Sequence, residues 1–143
     1  MKEKEPVIHR LRFGVDIDGT ISQAPKHFKR LIDALIGDDH YVYIITGRDE
    51  GRRRETEDFL DSLCVNYHHL VMKPVDWPGS MPEWKVNAVR EANVQLMFDD
   101  EETNCRAIQQ QTKCLSAHVL PIPELAAEIQ ELKRVSERRK HKK

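Results

Sequence analysis

The sequence has 143 residues, of which 39% are apolar and 33% charged, and its formal net charge is −1. These values predict one soluble, charge-rich globular domain with a substantial core. No apolar run approaches the ~20 residues of a membrane span, and the start lacks an apolar signal-peptide segment, so we expect a cytoplasmic protein without a membrane partner. The three cysteines are odd in number and lack metal-finger spacing, which predicts free thiols.

The first predicted strand covers residues 11–17, where apolar residues alternate, and it leads into Asp16-Ile17-Asp18-Gly19-Thr20. Alternate side chains of a strand share a face, so we expect Asp16 and Asp18 to leave the strand end in the same direction. Two carboxylates that close repel each other unless a cation or a proton accompanies them, which favours a site for a hard metal ion. The alternative is a strand that runs into an ordinary Asp-Gly turn.

The next elements follow from apolar periodicity and from turn residues. A helix is predicted over 25–36, with Pro25 in its first turn, and a strand buried on both faces over 41–45. That strand ends in Thr46-Gly47-Arg48. A second helix over 52–63 and a short strand over 70–72 follow.

The second half of the chain repeats this alternation. Residues 73–80 read as a loop, and Ser80 with Glu83 forms a capping box for a third helix that runs to residue 92. The remaining predicted elements are a strand over 94–98 that ends in Asp99-Asp100, a helix over 102–111, a strand over 115–120 and a last helix over 125–135. The tail, 133–143, carries seven Lys or Arg and one Glu, which leaves a net charge of −7 on the other 132 residues.

Strands that alternate with helices predict an α/β fold: a Rossmann-like three-layer sandwich around a five-stranded parallel sheet, in a single domain over 1–143. Ligands of such sheets bind outside the carboxyl ends of the strands. The polar clusters after the first, second and fourth strands all fall at that edge. The sequence therefore predicts one site that contains Asp16, Asp18, Thr46, Asp99 and Asp100.

This set of side chains indicates phosphoryl chemistry. Several carboxylates around one point can hold Mg²⁺, while a hydroxyl and a lysine supply donors to phosphoryl oxygens. Lys85 is the candidate lysine because it lies on a capped helix just before the fourth strand, and Lys73 is the alternative. A carboxylate beside a metal-bound phosphate can attack it and form an aspartyl phosphate, and a neighbouring carboxyl can act as acid and base.

The motifs Asp-Ile-Asp-Gly-Thr, Ile-Thr-Gly-Arg, a helical lysine and Phe-Asp-Asp, in that order, resemble those of the haloacid dehalogenase (HAD) superfamily of phosphatases over about residues 13–120. The resemblance implies that Asp16 is the nucleophile and a metal ligand and that Asp18 is the general acid and base, with its backbone carbonyl on the metal. It implies further that Lys85 neutralises the phosphoryl group, that Asp99 binds Mg²⁺ and that Asp100 acts in the outer shell. The phosphate- or substrate-binding residues that it implies are Gly19, Thr20, Thr46, Gly47 and Arg48.

Many members of this superfamily carry a cap domain, but neither gap between the motifs has room for one here. We therefore expect an open site that a phosphate on a large molecule can reach. Arg48 and the arginines at 52–54 suit phosphate, although the latter could instead pair with Glu50, Glu55 and Glu57. Thr-Gly-Arg, a charged helix and the terminal Phe-Asp-Asp also resemble, in part, the 3′-phosphatase domain of polynucleotide kinases, which favours a nucleotide or a nucleic-acid 3′-phosphate as substrate.

Other functions remain open on the sequence alone. A phosphatase of sugar phosphates or phosphoproteins fits the same motifs. A non-catalytic phosphate-binding module or a receiver-like domain also combines an α/β sheet with an aspartate cluster. The basic tail could contact nucleic acid, or it could be a solvated helix end.

Overall fold

A computed structural model describes residues 9–122, 131–132 and 134–139. The strands are β1 (Arg12–Val15), β2 (Tyr41–Asp49), β3 (His69–Lys73), β4 (Leu96–Asp99) and β5 (Leu115–His118). The helices are α1 (Pro25–Gly37), α2 (Arg53–Ser62), α3 (Met81–Ala92) and α4 (Glu102–Gln111), with a π-helical turn at Ile17–Ile21 and a 3₁₀ turn at Glu50–Arg52. Most of the predicted last helix, at 125–130 and 133, lies outside the described residues, as do positions 140–143 of the basic tail, whereas positions 131–132 and 134–139 are helical. Among the described helices, none is both long and apolar enough to cross a bilayer.

The five strands form one parallel sheet in the order β3-β2-β1-β4-β5. β1 lies at the centre, where Val15 pairs with Ile44 on one side and with Phe98 on the other. Because all five strands run the same way, their carboxyl ends meet at one edge. The predicted five-stranded parallel sheet is confirmed.

Helices cover both faces of this sheet and enclose two hydrophobic clusters. On one face α1 and α2 pack through residues such as Phe28, Ile32 and Leu60 against Val15, Val42 and Ile44. On the other face α3 and α4 pack through Trp84, Val89 and Ile108 against Ile45 and Met97. The predicted three-layer sandwich is therefore confirmed, and within residues 9–122 no separate cap domain interrupts it.

The start and end of α3 are fixed by local chemistry. Ser80 Oγ accepts a hydrogen bond from the backbone N–H of Glu83 at 3.3 Å, which is half of the predicted capping box. Asn93 ends the helix in the left-handed conformation with φ 52°. This anchoring matters for the site because it sets the position of Lys85 along the helix.

Two strand ends differ from the prediction. β1 stops at Val15 rather than at residue 17, because the chain enters the helical turn at Ile17–Ile21 directly after the Asp16 N–H donates to Phe98 O of β4 at 3.0 Å. β2 continues to Asp49 rather than ending at residue 45, since an irregularity after Thr46 lets the chain pair again with β3. Asp18 therefore lies in a turn, and Gly47 and Arg48 lie within the irregular part of a strand.

Candidate active site

The carboxyl edge of the sheet gathers the predicted residues around β1 and β4, which are neighbours in the sheet. Asp16 follows the last residue of β1, and Asp99 is the last residue of β4. Both are almost fully buried, at 7% and 0% exposure. Lys85 reaches them from α3 and is itself only 1% exposed. The fold thus brings two distant acids and one distant lysine to a single buried point.

The Lys85 ammonium is fully hydrogen-bonded. Its Nζ lies 2.9 Å from Asp16 Oδ1, 3.0 Å from Asp99 Oδ2 and 3.0 Å from the carbonyl oxygen of Ile45. An ammonium has three N–H donors, so these three acceptors satisfy it. Lys73, the alternative lysine, instead pairs with Asp49 at 2.9 Å. Lys85 is therefore the lysine that contacts the buried aspartates.

Burial changes the protonation of this cluster. Removal from water raises the pKa of Asp16 to about 7, an effect that the Lys85 ammonium opposes and the Asp99 carboxylate reinforces. Burial also acts to lower the pKa of Lys85, but the carboxylates of Asp16 and Asp99 outweigh it, so that pKa is raised. Two carboxylates thus share one ammonium. The excess negative charge suits a second cation at this point.

Asp100 completes an acidic group with Asp16 and Asp99. One carboxylate oxygen from each of the three lies within 4.8 Å of the others. Asp100 Oδ1 is buried and has no hydrogen-bond partner among the described residues. Buried carboxylate oxygens ordinarily have a partner, and a hard cation supplies one. The donor set therefore fits a divalent ion such as Mg²⁺.

Asp99 and Asp100, at the end of β4, differ in how many of their carboxylate oxygens have a partner within the protein. Asp99 Oδ2 contacts Lys85, and its Oδ1 accepts from the backbone N–H of Glu101 at 2.9 Å and from Asn104 Nδ2 at 3.4 Å. Asp100 keeps a free oxygen and lies against Gly19, where a Cβ would approach Asp100 Oδ2 to 2.1 Å. Asp100 Oδ1 thus accepts no hydrogen bond among the described residues, whereas both oxygens of Asp99 do, and one oxygen of each carboxylate still lies within reach of a shared cation.

Asp18 does not join the buried acids through its side chain. Its carboxylate accepts two hydrogen bonds from Arg48, from Nε at 3.0 Å and from Nη2 at 2.8 Å. The guanidinium of Arg48 also lies over the ring of Phe59, 4.8 Å from its centre. The carboxylates of Asp16 and Asp18 therefore contact different partners, Lys85 and Arg48, although both residues line one pocket.

The predicted phosphate-binding residues fall into two groups. Gly19, Gly47 and Arg48 line the candidate pocket, whereas Thr20 and Thr46 are fully buried and are not among its lining residues. Thr46 Oγ1 accepts from the backbone N–H of Arg48 at 3.2 Å, and so it shapes the chain after β2. Thr20 Oγ1 has no hydrogen-bond partner among the described residues.

The pocket over these residues has a volume of about 580 Å³ and opens at the carboxyl edge. Its charged lining residues are Asp16, Asp18, Asp100, Glu101, Arg48 and Lys85. Met81 and Pro82, from the first turn of α3, add an apolar wall. Met81 lies close over Gly47, where a Cβ would come within 2.6 Å of its Cε. A glycine at this position lets the apolar wall approach β2.

Sequence reasoning missed several residues at or beside the site, among them Asn104 and His118. Asn104 is buried, lines the pocket and contacts both carboxylate oxygens of Asp99. Its place in the first turns of α4, five residues after Asp99, is the signal that could have revealed it. The His118 ring Nε2 lies 2.9 Å from the carbonyl oxygen of Asp100, at the end of β5. That strand also ends at the carboxyl edge, but no motif marked it.

The arginines at 52–54 are not part of this pocket. Arg53 pairs with Glu50 and Glu57 and also donates to the carbonyl oxygen of Leu70 at 3.0 Å. Arg52 lies 3.9 Å from Glu55. The sequence left open whether these arginines pair with nearby glutamates, and the structure shows such pairs for Arg52 and Arg53.

No protein-family model and no curated protein matches the sequence. Among solved structures, the chain is similar to two chains from structures of the Pnkp1/Rnl/Hen1 complex, one of them described as an RNA repair complex. Their identities are 13% and 17%, both TM-scores are 0.67, and the match covers 85% of this chain but 46% and 52% of those chains. An uncharacterised protein from Corynebacterium glutamicum is also similar, at 13% identity and a TM-score of 0.57, over 87% of this chain and 95% of its own. The chain thus spans about half the length of the RNA repair chains, and at these identities the likeness establishes the fold.

Proposed function

We propose that the chain is a Mg²⁺-dependent phosphomonoester hydrolase of the HAD type that works through an aspartyl phosphate on Asp16. The observation that carries the proposal is the contact of Lys85 with both Asp16 and Asp99, beside a carboxylate of Asp100 that still has a free oxygen. A buried nucleophile, a fixed cation and an acidic metal group at one pocket are the parts that phosphoryl transfer needs.

The two aspartates of the first motif have different roles in this reaction. An Asp16 oxygen attacks phosphorus, so that a new O–P bond forms while the bond to the leaving oxygen breaks and that oxygen takes a proton from Asp18. Water then attacks the phosphorus and gives a proton back to Asp18, and Asp16 leaves with its electron pair. Asp16 must be ionised for the first step, and the ammonium of Lys85 at 2.9 Å favours that ionised form.

Asp16, Asp99 and Asp100 are the residues that would hold the metal ion. Their oxygens lie within 4.8 Å of one another, and oxygen ligands suit Mg²⁺. When bound, Mg²⁺ neutralises negative charge on the phosphoryl oxygens. Because Gly19 has no side chain, it leaves room for the Asp100 carboxylate beside the other two acids.

Arg48 is placed to respond to the substrate. It holds Asp18 through two parallel hydrogen bonds, the geometry that a guanidinium also offers to phosphate. A substrate phosphate that takes over these donors would release the Asp18 carboxyl for proton transfer. The pair therefore links substrate binding to the availability of the acid.

For the substrate, we favour a nucleotide or a nucleic-acid end that carries a phosphate, above all a 3′-phosphate. The pocket opens at the sheet edge without a cap over residues 9–122, which leaves access for a phosphate on a large molecule. The structural likeness to chains of an RNA repair complex supports the same choice. The apolar wall of Met81 and Pro82 suits a sugar or a base next to the phosphate.

The test compares kcat/KM for a 3′-phosphorylated oligonucleotide, a mononucleotide and a sugar phosphate, with Mg²⁺ and with a chelator. We expect turnover only with the metal, and the highest kcat/KM for the oligonucleotide. A preference for the sugar phosphate would overturn the choice of substrate. Absence of turnover of every phosphomonoester in the presence of Mg²⁺ would overturn the hydrolase assignment in favour of a binding module.

A further inference from the structure

A second, larger cavity lies at the opposite edge of the sheet, where the strands begin. Its volume is about 1120 Å³. We call it the amino-edge cavity and define it by the cationic residues Arg10, Arg12, Arg90 and Lys113, together with Tyr41 and Gln110. It shares no lining residue with the candidate active site.

The amino-edge cavity is positively charged. Four of its lining side chains are Lys or Arg, and none is Asp or Glu. Within the described part of the chain, none of these four cations forms an ion pair, whereas Arg48, Arg53 and Lys85 all do. Cations that converge on a concave surface without carboxylate partners create a positive potential that attracts anions.

The ends of neighbouring helices explain only part of this charge. α3 and α4 both end beside the cavity, and helix carboxyl ends favour nearby cations. Arg90 serves that role, because its Nη2 donates to the carbonyl oxygen of Gln111. Arg10 comes from the segment before β1, where it hydrogen-bonds the hydroxyl of Tyr41 at 3.4 Å. Arg10, Arg12 and Lys113 therefore remain available to a ligand.

The other lining groups indicate what kind of anion would fit. Tyr41 offers an aromatic surface, and Gln110 is an exposed side chain with both hydrogen-bond donors and acceptors. Bases stack on aromatic rings and on guanidinium planes, while cations follow the backbone phosphates. We propose that the amino-edge cavity binds a single-stranded nucleic acid away from its phosphorylated end, an extension whose choice of nucleic acid rests on the proposed function.

The experiment measures binding of a fluorescent single-stranded oligonucleotide without terminal phosphates to the full chain, by anisotropy across a salt series. The probes are RNA and DNA of the same sequence. The test variant is Arg10→Gln with Lys113→Gln, and the matched control is Arg52→Gln with Arg54→Gln, because all four side chains are exposed and each pair removes the same charge. We expect the test variant to bind at least roughly tenfold more weakly at low salt, with a salt slope smaller by about 1.4, and the control to bind as the native chain does.

Several results would overturn the proposal. The first is that neither probe shows salt-dependent binding, and the second is that the control variant loses as much affinity as the test variant. The third is that polyglutamate displaces the probe as effectively as unlabelled oligonucleotide does, which would indicate an acidic protein as the ligand instead. Asp16→Asn separates this proposal from the proposed function. Binding of the unphosphorylated probe should survive in that variant, whereas failure of the hydrolase assignment would appear only in turnover.

Discussion

At the carboxyl edge of the sheet, Lys85 is 1% exposed and lies between Asp16 and Asp99, whereas at the amino edge Arg10 and Lys113 are exposed and form no ion pair within the described residues. The two regions thus use charge in opposite ways. Buried, hydrogen-bonded charges hold fixed distances, as chemistry on a phosphorus atom requires. Exposed charges gain little from any one geometry and are screened by salt, which suits affinity for a flexible polyanion. Substitutions at the first edge should therefore have large, specific effects, and those at the second small and additive ones.

The largest expected effect is that of Asp16→Asn on turnover. This change removes the proposed nucleophile, so we expect kcat/KM to fall by about 1000-fold or more. The fold should persist because Lys85 keeps its contact with Asp99. Steady-state kinetics with circular dichroism as the folding control provide the measurement, and a folded variant with native turnover would refute the assignment of Asp16.

Lys85→Met should produce the largest loss of stability. It leaves two buried carboxylates without their ammonium, so we expect the free energy of unfolding to fall by about 3–5 kcal/mol. The matched change Lys73→Met should cost less than about 1 kcal/mol, because the Lys73 partner Asp49 is half exposed. Urea denaturation measures both. If the two variants lose equal stability, or if only Lys73→Met abolishes turnover, Lys85 is not the lysine of the site.

Binding of Mg²⁺ should stabilise the protein through the acidic group. At a concentration one hundred times its Kd, a ligand adds about 2.7 kcal/mol to the free energy of unfolding, which a thermal melt detects as a higher Tm. We expect Asp100→Asn to abolish this shift, because Asp100 has the free carboxylate oxygen. Asp18→Asn should keep it, since the Asp18 carboxylate contacts Arg48 instead. If Asp18→Asn abolished the shift and Asp100→Asn kept it, the assignment of Asp100 as a metal ligand would be wrong.

A smaller effect is expected at the glycine beside Asp100. Gly19 has φ +79°, and an added Cβ would meet Asp100 Oδ2 at 2.1 Å, so Gly19→Ala should cost about 1–2 kcal/mol and weaken the Mg²⁺-dependent rise in Tm. Gly37→Ala is the control, because no atom lies within 4 Å of the Cβ position there. Denaturation with and without Mg²⁺ compares them. Equal behaviour of the two variants would mean that Gly19 does not set the position of Asp100.

The fold followed from short-range patterns, which is why it was predictable. The alternation of buried strands and amphipathic helices implied a parallel sheet, and Ser80 with Glu83 marked the start of α3. In such a sheet the carboxyl ends of all strands share one edge, so the sequence predicted that Asp16 and Asp99 would lie at the same edge, and the pairing of β1 with β4 in the structure makes them neighbours. The motifs also singled out Lys85, because a capped helix fixes its place before β4.

The tertiary structure decided which side chains each of those acids contacts. The turn after Val15 directs Asp18 to Arg48, and Asn104, Glu101 and Lys85 contact Asp99, while Asp100 Oδ1 accepts no hydrogen bond among the described residues. These outcomes depend on side-chain directions and on contacts between residues far apart in sequence, which periodicity does not encode. The amino-edge cavity has the same origin, since its cations come from segments that only the packing of β1, α3 and α4 brings together. The sequence by itself determined the edge of the sheet at which these acids and Lys85 gather, because strand direction follows from local patterns, and packing between distant segments determined which of these side chains contact one another.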